Sequence, residues 1–161
     1  MKRLLMILVI GALAAGCGLK SEAPQEKSTA VQKSVKSAGA ENNYLTLAVA
    51  LLKKGEVGPA IQALDEAIKQ DRNNVQAYVL LGQTYMHANQ YDRAVDSFLA
   101  GLAVEPDQGE IYYMLAIANG LRGRKDLAVN NAEKALLLFQ KDRDGENFKK
   151  ALVLLQGLSQ Q

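Results

Sequence analysis

From Glu41 onward the chain repeats itself every 34 residues, and a period of that length restricts it to a solenoid of stacked helical units. Three units run 41–74, 75–108 and 109–142. Tyr44, Tyr78 and Tyr112 stand in register, as do Leu47, Leu81 and Leu115. Directly after the leucines come the small residues Ala48, Gly82 and Ala116. Later in each unit Ala60, Ala94 and Ala128 align, and further on Ala67, Gly101 and Ala135. All nine of these places hold Ala or Gly, which is what helices need where their axes approach to ~8–10 Å.

Each unit contains two apolar stripes at helical spacing. In the first, Tyr44, Leu47, Ala48 and Leu51 form one stripe, and Ala60, Ile61, Leu64, Ala67 and Ile68 form the other. Between the stripes sit Gly55, Asn89 and Gly123, again in register. These are residues that readily take the left-handed conformation ending a helix. Pro59 falls in a first helical turn, where its missing N–H costs little, and Pro106 closes the second unit. After a break at Asp144 and Gly145, residues 146–158 predict one more amphipathic helix. Phe148, Ala151, Leu152, Leu155 and Leu158 form its buried stripe, with Lys149, Lys150 and Gln156 facing away. A solenoid end requires such a cap, because the last hairpin otherwise exposes an apolar face.

On these residues the array resembles the tetratricopeptide repeat (TPR). The middle unit matches most fully, with Tyr78, Leu81, Gly82, Tyr85, Tyr91, Ala94, Phe98 and Pro106 at family positions. The first unit departs at Leu51 and Arg72, and the third at Asn119, Ala132 and Gln140. The expected fold is all-α, an α-solenoid of three TPR helix hairpins over 41–142 plus a C-terminal capping helix and tail over 143–161.

The resemblance also implies a concave groove lined by the first helix of each unit, with five places facing it. These are Asn42, Leu45, Val49, Leu52 and Lys53, then Gln76, Val79, Gln83, Met86 and His87, then Glu110, Tyr113, Ile117, Gly120 and Leu121. Some family members grip a partner's C-terminal carboxylate with Lys, Arg and Asn at such places. Here Lys53 is the only strong cation among them. The expected partner-binding groove is Leu45, Val49, Leu52, Val79, Gln83, Met86, Tyr113 and Ile117. It is mostly apolar and suits an apolar strip of extended peptide or an amphipathic helix. The alternatives are that some of these residues pack against the N-terminal segment or against a second copy of the chain.

The N-terminus reads as an address. Lys2 and Arg3 precede an apolar run from Leu4 to Ala15, and small residues lead into Cys17. This is the layout of a secretory signal peptide over 1–16, too short for the ~17–25 apolar residues of a spanning helix. Leu13-Ala14-Ala15-Gly16-Cys17 resembles the bacterial lipobox, although Ala14 stands three residues before the Cys where Leu is commonest. The resemblance implies cleavage before Cys17 and lipidation of its thiol. It also implies an outer-membrane location facing the periplasm, because Gly18 is not the Asp that favours inner-membrane retention. Residues 18–40 are polar, without apolar periodicity, and predict a flexible tether with a typical span of roughly 24–29 Å.

Charge and composition exclude other classes. Without Lys2 and Arg3 the remainder carries 17 basic and 17 acidic residues, so no basic excess points to nucleic acid. Cys17 is the only Cys and His87 the only His, and neither a phosphate loop nor an acidic metal loop is present in the sequence. No cofactor, metal or catalytic residue is expected. The function read from the sequence is a non-enzymatic protein-protein interaction scaffold, anchored by lipid in the bacterial cell envelope and binding a segment of another envelope protein. Self-association is a further possibility. The chain also resembles pilotin-type lipoproteins that carry pilus or secretin subunits, which gives the alternative reading.

Overall fold

The computed structural model describes residues 43–160, which form seven α-helices with no strand among them. The expected leader over 1–16, the lipidation site Cys17 and the tether over 18–40 lie outside the described residues, as does Asn42. The helices are α1 (Asn43–Lys53), α2 (Val57–Gln70), α3 (Val75–His87), α4 (Tyr91–Val104), α5 (Gly109–Leu121), α6 (Lys125–Lys141) and α7 (Gly145–Ser159). Three hairpins, α1–α2, α3–α4 and α5–α6, stack through α2 on α3 and α4 on α5, and α7 closes the far end against α6. The protein is an all-α solenoid of helix hairpins with a C-terminal capping helix.

Each hairpin turn rests on one left-handed residue. Gly55, Asn89 and Gly123 have φ of 76°, 57° and 72°, as their place in the repeat predicts. That conformation lets the next N–H reach back, so Glu56, Gln90 and Arg124 donate to the carbonyls of Leu51, Tyr85 and Asn119 at 2.9, 2.8 and 2.8 Å. The joint before α7 is built the same way, but Arg143 takes the left-handed position (φ 59°) and Asp144 N–H donates to Phe139 O at 2.9 Å. Gly145 is therefore the first residue of α7 rather than a breaker.

The nine small places are all buried, and they serve close packing. A Cβ on Gly82 would lie 2.7 Å from Phe98 Cδ1 and nearer still to Cε1. Tyr85 and Phe98, both almost fully buried, thus fill the second hairpin around a glycine. In the first hairpin the corresponding residues are Leu51 and Leu64, and in the third they are Asn119 and Ala132. The third pair leaves space that α7 fills, because Leu158 packs with Ala116, Ala128 and Ala132. Asn119 is buried yet satisfied, its Nδ2 donating to Leu115 O at 2.9 Å and its Oδ1 accepting from Arg122 Nη1 at 3.3 Å. The cap thus supplies a core side chain that the third repeat lacks. Leu158→Ala is expected to lower unfolding free energy by about 2–4 kcal/mol, measured by urea titration. A loss below about 0.5 kcal/mol would contradict this packing role.

Two features of the C-terminal end differ from the sequence expectation. On α7, Ala151 and Leu158 are buried, but Leu152 is 38% exposed and the half-buried Leu154 packs inward instead. The seat for α7 lies towards the third hairpin's inner side as well as α6, which rotates the buried stripe by one part of a turn. Further, α6 has 17 residues where α2 and α4 have 14. The outer helices α2 and α4 stop at the extended residues Asp71 and Glu105. The corresponding residue in the third unit is Phe139, which stays helical and buries its ring against the start of α5. A Cβ on Gly109 would lie 2.8 Å from Phe139 Cε1.

Asp144 begins α7 as its N-cap: Oδ1 accepts from Asn147 N–H at 3.0 Å and Oδ2 from Asn147 Nδ2 at 2.7 Å. These bonds, the backbone one foremost, hold its carboxyl below the ordinary carboxylate range. A carboxyl whose pKa is lower folded than unfolded stabilises fully above its unfolded value of about 3.9, and the contribution fades as pH falls through the folded value. Thermal melts below about pH 4 should therefore decline more steeply for the native chain than for Asp144→Asn, which keeps a capping oxygen without the titration. Parallel profiles would contradict the cap's part in acid lability.

Candidate partner-binding groove

The inner helices α1, α3 and α5 carry the residues that the sequence assigns to the groove. Leu45, Val49, Leu52, Val79, Gln83, Met86, Tyr113 and Ile117 are all half-buried, so each offers part of its surface. They are not equivalent. Leu45, Val79 and Met86 lean on the main core, and Tyr113 packs against the cluster of Ala135, Phe139 and Ala151 beneath the cap. Val49, Leu52 and Ile117 take part in none of the core clusters.

Between α3 and α5 lies a cleft of about 690 Å³. Gln76, Val79 and Gln83 line it from α3, spaced three and four apart and so along one helix face. Val75 lines it from the start of α3, Glu110 and Ile111 from α5, and Asp71, Asn73, Asn74, Glu105 and Gln108 from the turns before the two helices. Four of the fifteen places carried over from the family therefore meet here: Gln76, Val79, Gln83 and Glu110. Leu45, Val49, Leu52, Met86, Tyr113 and Ile117 lie outside this cleft.

The cleft is more polar than the apolar groove expected from the sequence. Among the described residues, the charged ones lining it are Asp71, Glu105 and Glu110, all carboxylates, and no Lys or Arg lines it. Its turns are held by local bonds. Asn74 Oδ1 accepts from Ala77 N–H at 3.1 Å as the N-cap of α3, and Asp71 Oδ1 accepts from Asn73 N–H at 2.9 Å. Gln108 donates its side-chain amide to the Glu105 carboxylate. Among the described residues no ion pair engages Asp71, Glu105 or Glu110. The turn residues were absent from the groove read from the sequence, yet a signal existed: Asp71 and Glu105, like Asn74 and Gln108, are 34 residues apart.

Three arginines stand at the opposite edge, around the hairpin turns. A second cleft of about 530 Å³ is lined by Arg93, Arg122 and Arg124 with Asp92 and the turn at Asn89–Tyr91. Two of these arginines are engaged: Arg122 pairs with Asp92, and Arg93 lies 4.3 Å from the centre of the Tyr85 ring while bonding Gln90 Oε1 at 3.0 Å. His87, at the end of α3, is exposed. Among the described residues no group of three His, Cys, Asp or Glu side chains could hold a metal ion, and no helix is long and apolar enough to cross a membrane.

Residues 51–118 match the family model of the tetratricopeptide repeat. Solved structures of the same fold extend the likeness over most of the chain. The TPR2B domain of yeast Sti1, in its pHsp70 complex, aligns with a TM-score of 0.70 at 15% identity, over 74% of this chain and 95% of that one. The Yersinia enterocolitica type III secretion translocator chaperone SycD aligns with a TM-score of 0.68 at 16% identity, over 79% and 90%. PcrH from Pseudomonas aeruginosa gives 0.69 at 16% identity, over 76% and 96%. PcrH is also known in complex with the chaperone binding region of PopD. At such identities the likeness is one of fold. No curated protein matches the sequence. Over residues 51–118 the chain is thus similar to the tetratricopeptide repeat, and its helix hairpins share the fold of these structures.

Proposed function

We propose that the protein is a non-enzymatic scaffold that binds a segment of another envelope protein along the concave face of α1, α3 and α5. In this reading it is held by lipid at Cys17 in the bacterial cell envelope, at the outer membrane facing the periplasm. One observation carries the groove: the cleft of about 690 Å³ running along one face of α3, where side chains from two successive repeats converge. A repeat array of this kind presents an extended concave surface suited to holding a peptide segment. The fold neighbours include chaperones and a domain solved with bound partners, which supports the same reading. The anchor rests on the sequence around Cys17 alone.

Cross-linking in intact cells, followed by capture of the full chain, tests the groove reading. A discrete partner should be recovered, and it should be lost when Val49 and Ile117 are both changed to Arg. Unchanged recovery would reject the groove. Cell fractionation tests the anchor. Several acyl chains at ~0.8 kcal/mol per buried methylene hold a protein firmly on a bilayer, so Cys17→Ser should move the protein from the membrane to the soluble fraction. Persistent membrane association of that variant would count against lipidation.

A further inference from the structure

The geometry points to a cation-bearing partner: the cleft between α3 and α5 takes an extended segment whose lysines or arginines meet Asp71, Glu105 and Glu110. This inference rests on the groove reading above and adds the chemistry of the occupant. The cleft has a form that a peptide can follow, since Gln76, Val79 and Gln83 run along one face of α3 while Glu110 stands on α5 opposite. Val79 offers an apolar wall, and the glutamine amides can both donate to and accept from a peptide backbone. Among the described residues every formal charge lining the cleft is negative, and no ion pair neutralises it. Asp71 and Glu105 are also held by their turns, through Asn73 N–H and the Gln108 amide, so little side-chain freedom is lost when a cation arrives.

Arg72, between Asp71 and Asn73, is exposed and does not line the cleft. Arg93, Arg122 and Arg124 line the other cleft, at the hairpin-turn edge beyond the C-terminal ends of α3 and α5. A helix of 13 residues, the length of α3 and of α5, separates the two edges by roughly 20 Å. That is about two and a half times the screening length at physiological ionic strength. An acidic segment is accordingly repelled from the cleft, whereas a basic one is steered into it and oriented.

The experiment uses the full chain purified in detergent and three synthetic peptides of equal length. They share alternating Val and Leu, and the intervening residues are all Lys, all Glu or all Gln. The lysine peptide should bind at least tenfold more tightly than the glutamate peptide, with the preference shrinking as salt is raised. Glu110→Lys should abolish or reverse that preference. Because Glu110 is exposed, its circular dichroism and melting should stay close to the native chain's. The milder pair Glu105→Gln with Glu110→Gln should weaken lysine-peptide binding at least several-fold while sparing the glutamine peptide.

Binding of the glutamine peptide with no charge preference would overturn this inference and leave the groove reading intact. A preference for lysine that survives Glu110→Lys would overturn the placement in this cleft. Failure of all three peptides would overturn the groove reading itself. The chain's own Lys20, Lys27, Lys33 and Lys36 are the competing occupants. If changing them all to Gln raised lysine-peptide affinity tenfold or more, the cleft would belong to that segment and the assignment to a partner would fall.

Discussion

Phe98→Ala is expected to lower the unfolding free energy by about 3–5 kcal/mol, the largest single effect on stability in this chain. Phe98 is fully buried and is the largest side chain so enclosed among the described residues. Its ring lies on the bare backbone of Gly82 across the second hairpin, and the main cluster around it includes Leu81, Tyr85, Ala94, Val95, Ile111 and Leu115. That cluster joins residues of the first, second and third hairpins. Removing the ring therefore leaves a void at the joint of three units, where helix shifts cannot close it without breaking their packing. Urea unfolding followed by circular dichroism measures the loss.

The glycine beneath the ring gives an internal check. Gly82→Ala would gain up to ~1 kcal/mol of helix propensity in the absence of a clash. Against the Phe98 ring it should instead destabilise by about 1–3 kcal/mol. Combining it with Phe98→Leu should give a double variant more stable than the sum of the two single changes predicts. Simple additivity would show that Gly82 and Phe98 do not press on each other.

The second large effect concerns binding. Changing Val49 and Ile117 together to Arg should weaken partner binding at least 100-fold, equivalent to about 2.7 kcal/mol, in a titration against the captured partner. These two residues are half-buried on α1 and α5, flanking α3, and neither belongs to the buried core clusters. A long charged side chain there blocks the concave surface and must lose its hydration if a partner is to close over it. Its stem can still lie along the helix with the guanidinium in water, so the free protein should melt within a few degrees of the native chain. A binding loss with an unchanged melt separates a contact surface from a structural one. Val79→Arg would be a less clean probe, because Val79 leans on the core.

What could be read from the sequence divides along a physical line. The nine small residues and the turn residues Gly55, Asn89 and Gly123 answer requirements met by one residue at a time, a close axis approach or a left-handed φ. Such requirements repeat with the chain and are visible as periodicity. Features that depend on two elements meeting were not visible. The void at Ala132 reads as a weak repeat until Leu158 is seen to fill it. Gly109 looks like a unit boundary, yet it is the seat of Phe139. The break expected at Asp144 and Gly145 is made by Arg143, which adopts the left-handed turn just before them.

The site divides differently. The eight residues expected on the inner helices are half-buried, and of them only Val79 and Gln83 line the cleft between α3 and α5. Its carboxylates come instead from the turns between repeats, at Asp71 and Glu105, and from the first turn of α5 at Glu110. Turn residues carry no apolar stripe, so a reading based on stripes passes over them. The result is a surface with apolar places along the inner helices and a negatively charged cleft between two of them.

Site-specific photocross-linking in living cells tests the central claim most directly. A photoreactive residue would replace Val79 in the cleft, or Leu99, which is 52% exposed on the outer helix α4. Val79 should give one discrete cross-linked partner and Leu99 none. Cross-links from Leu99 with none from Val79 would contradict the account and place the partner on the outer face.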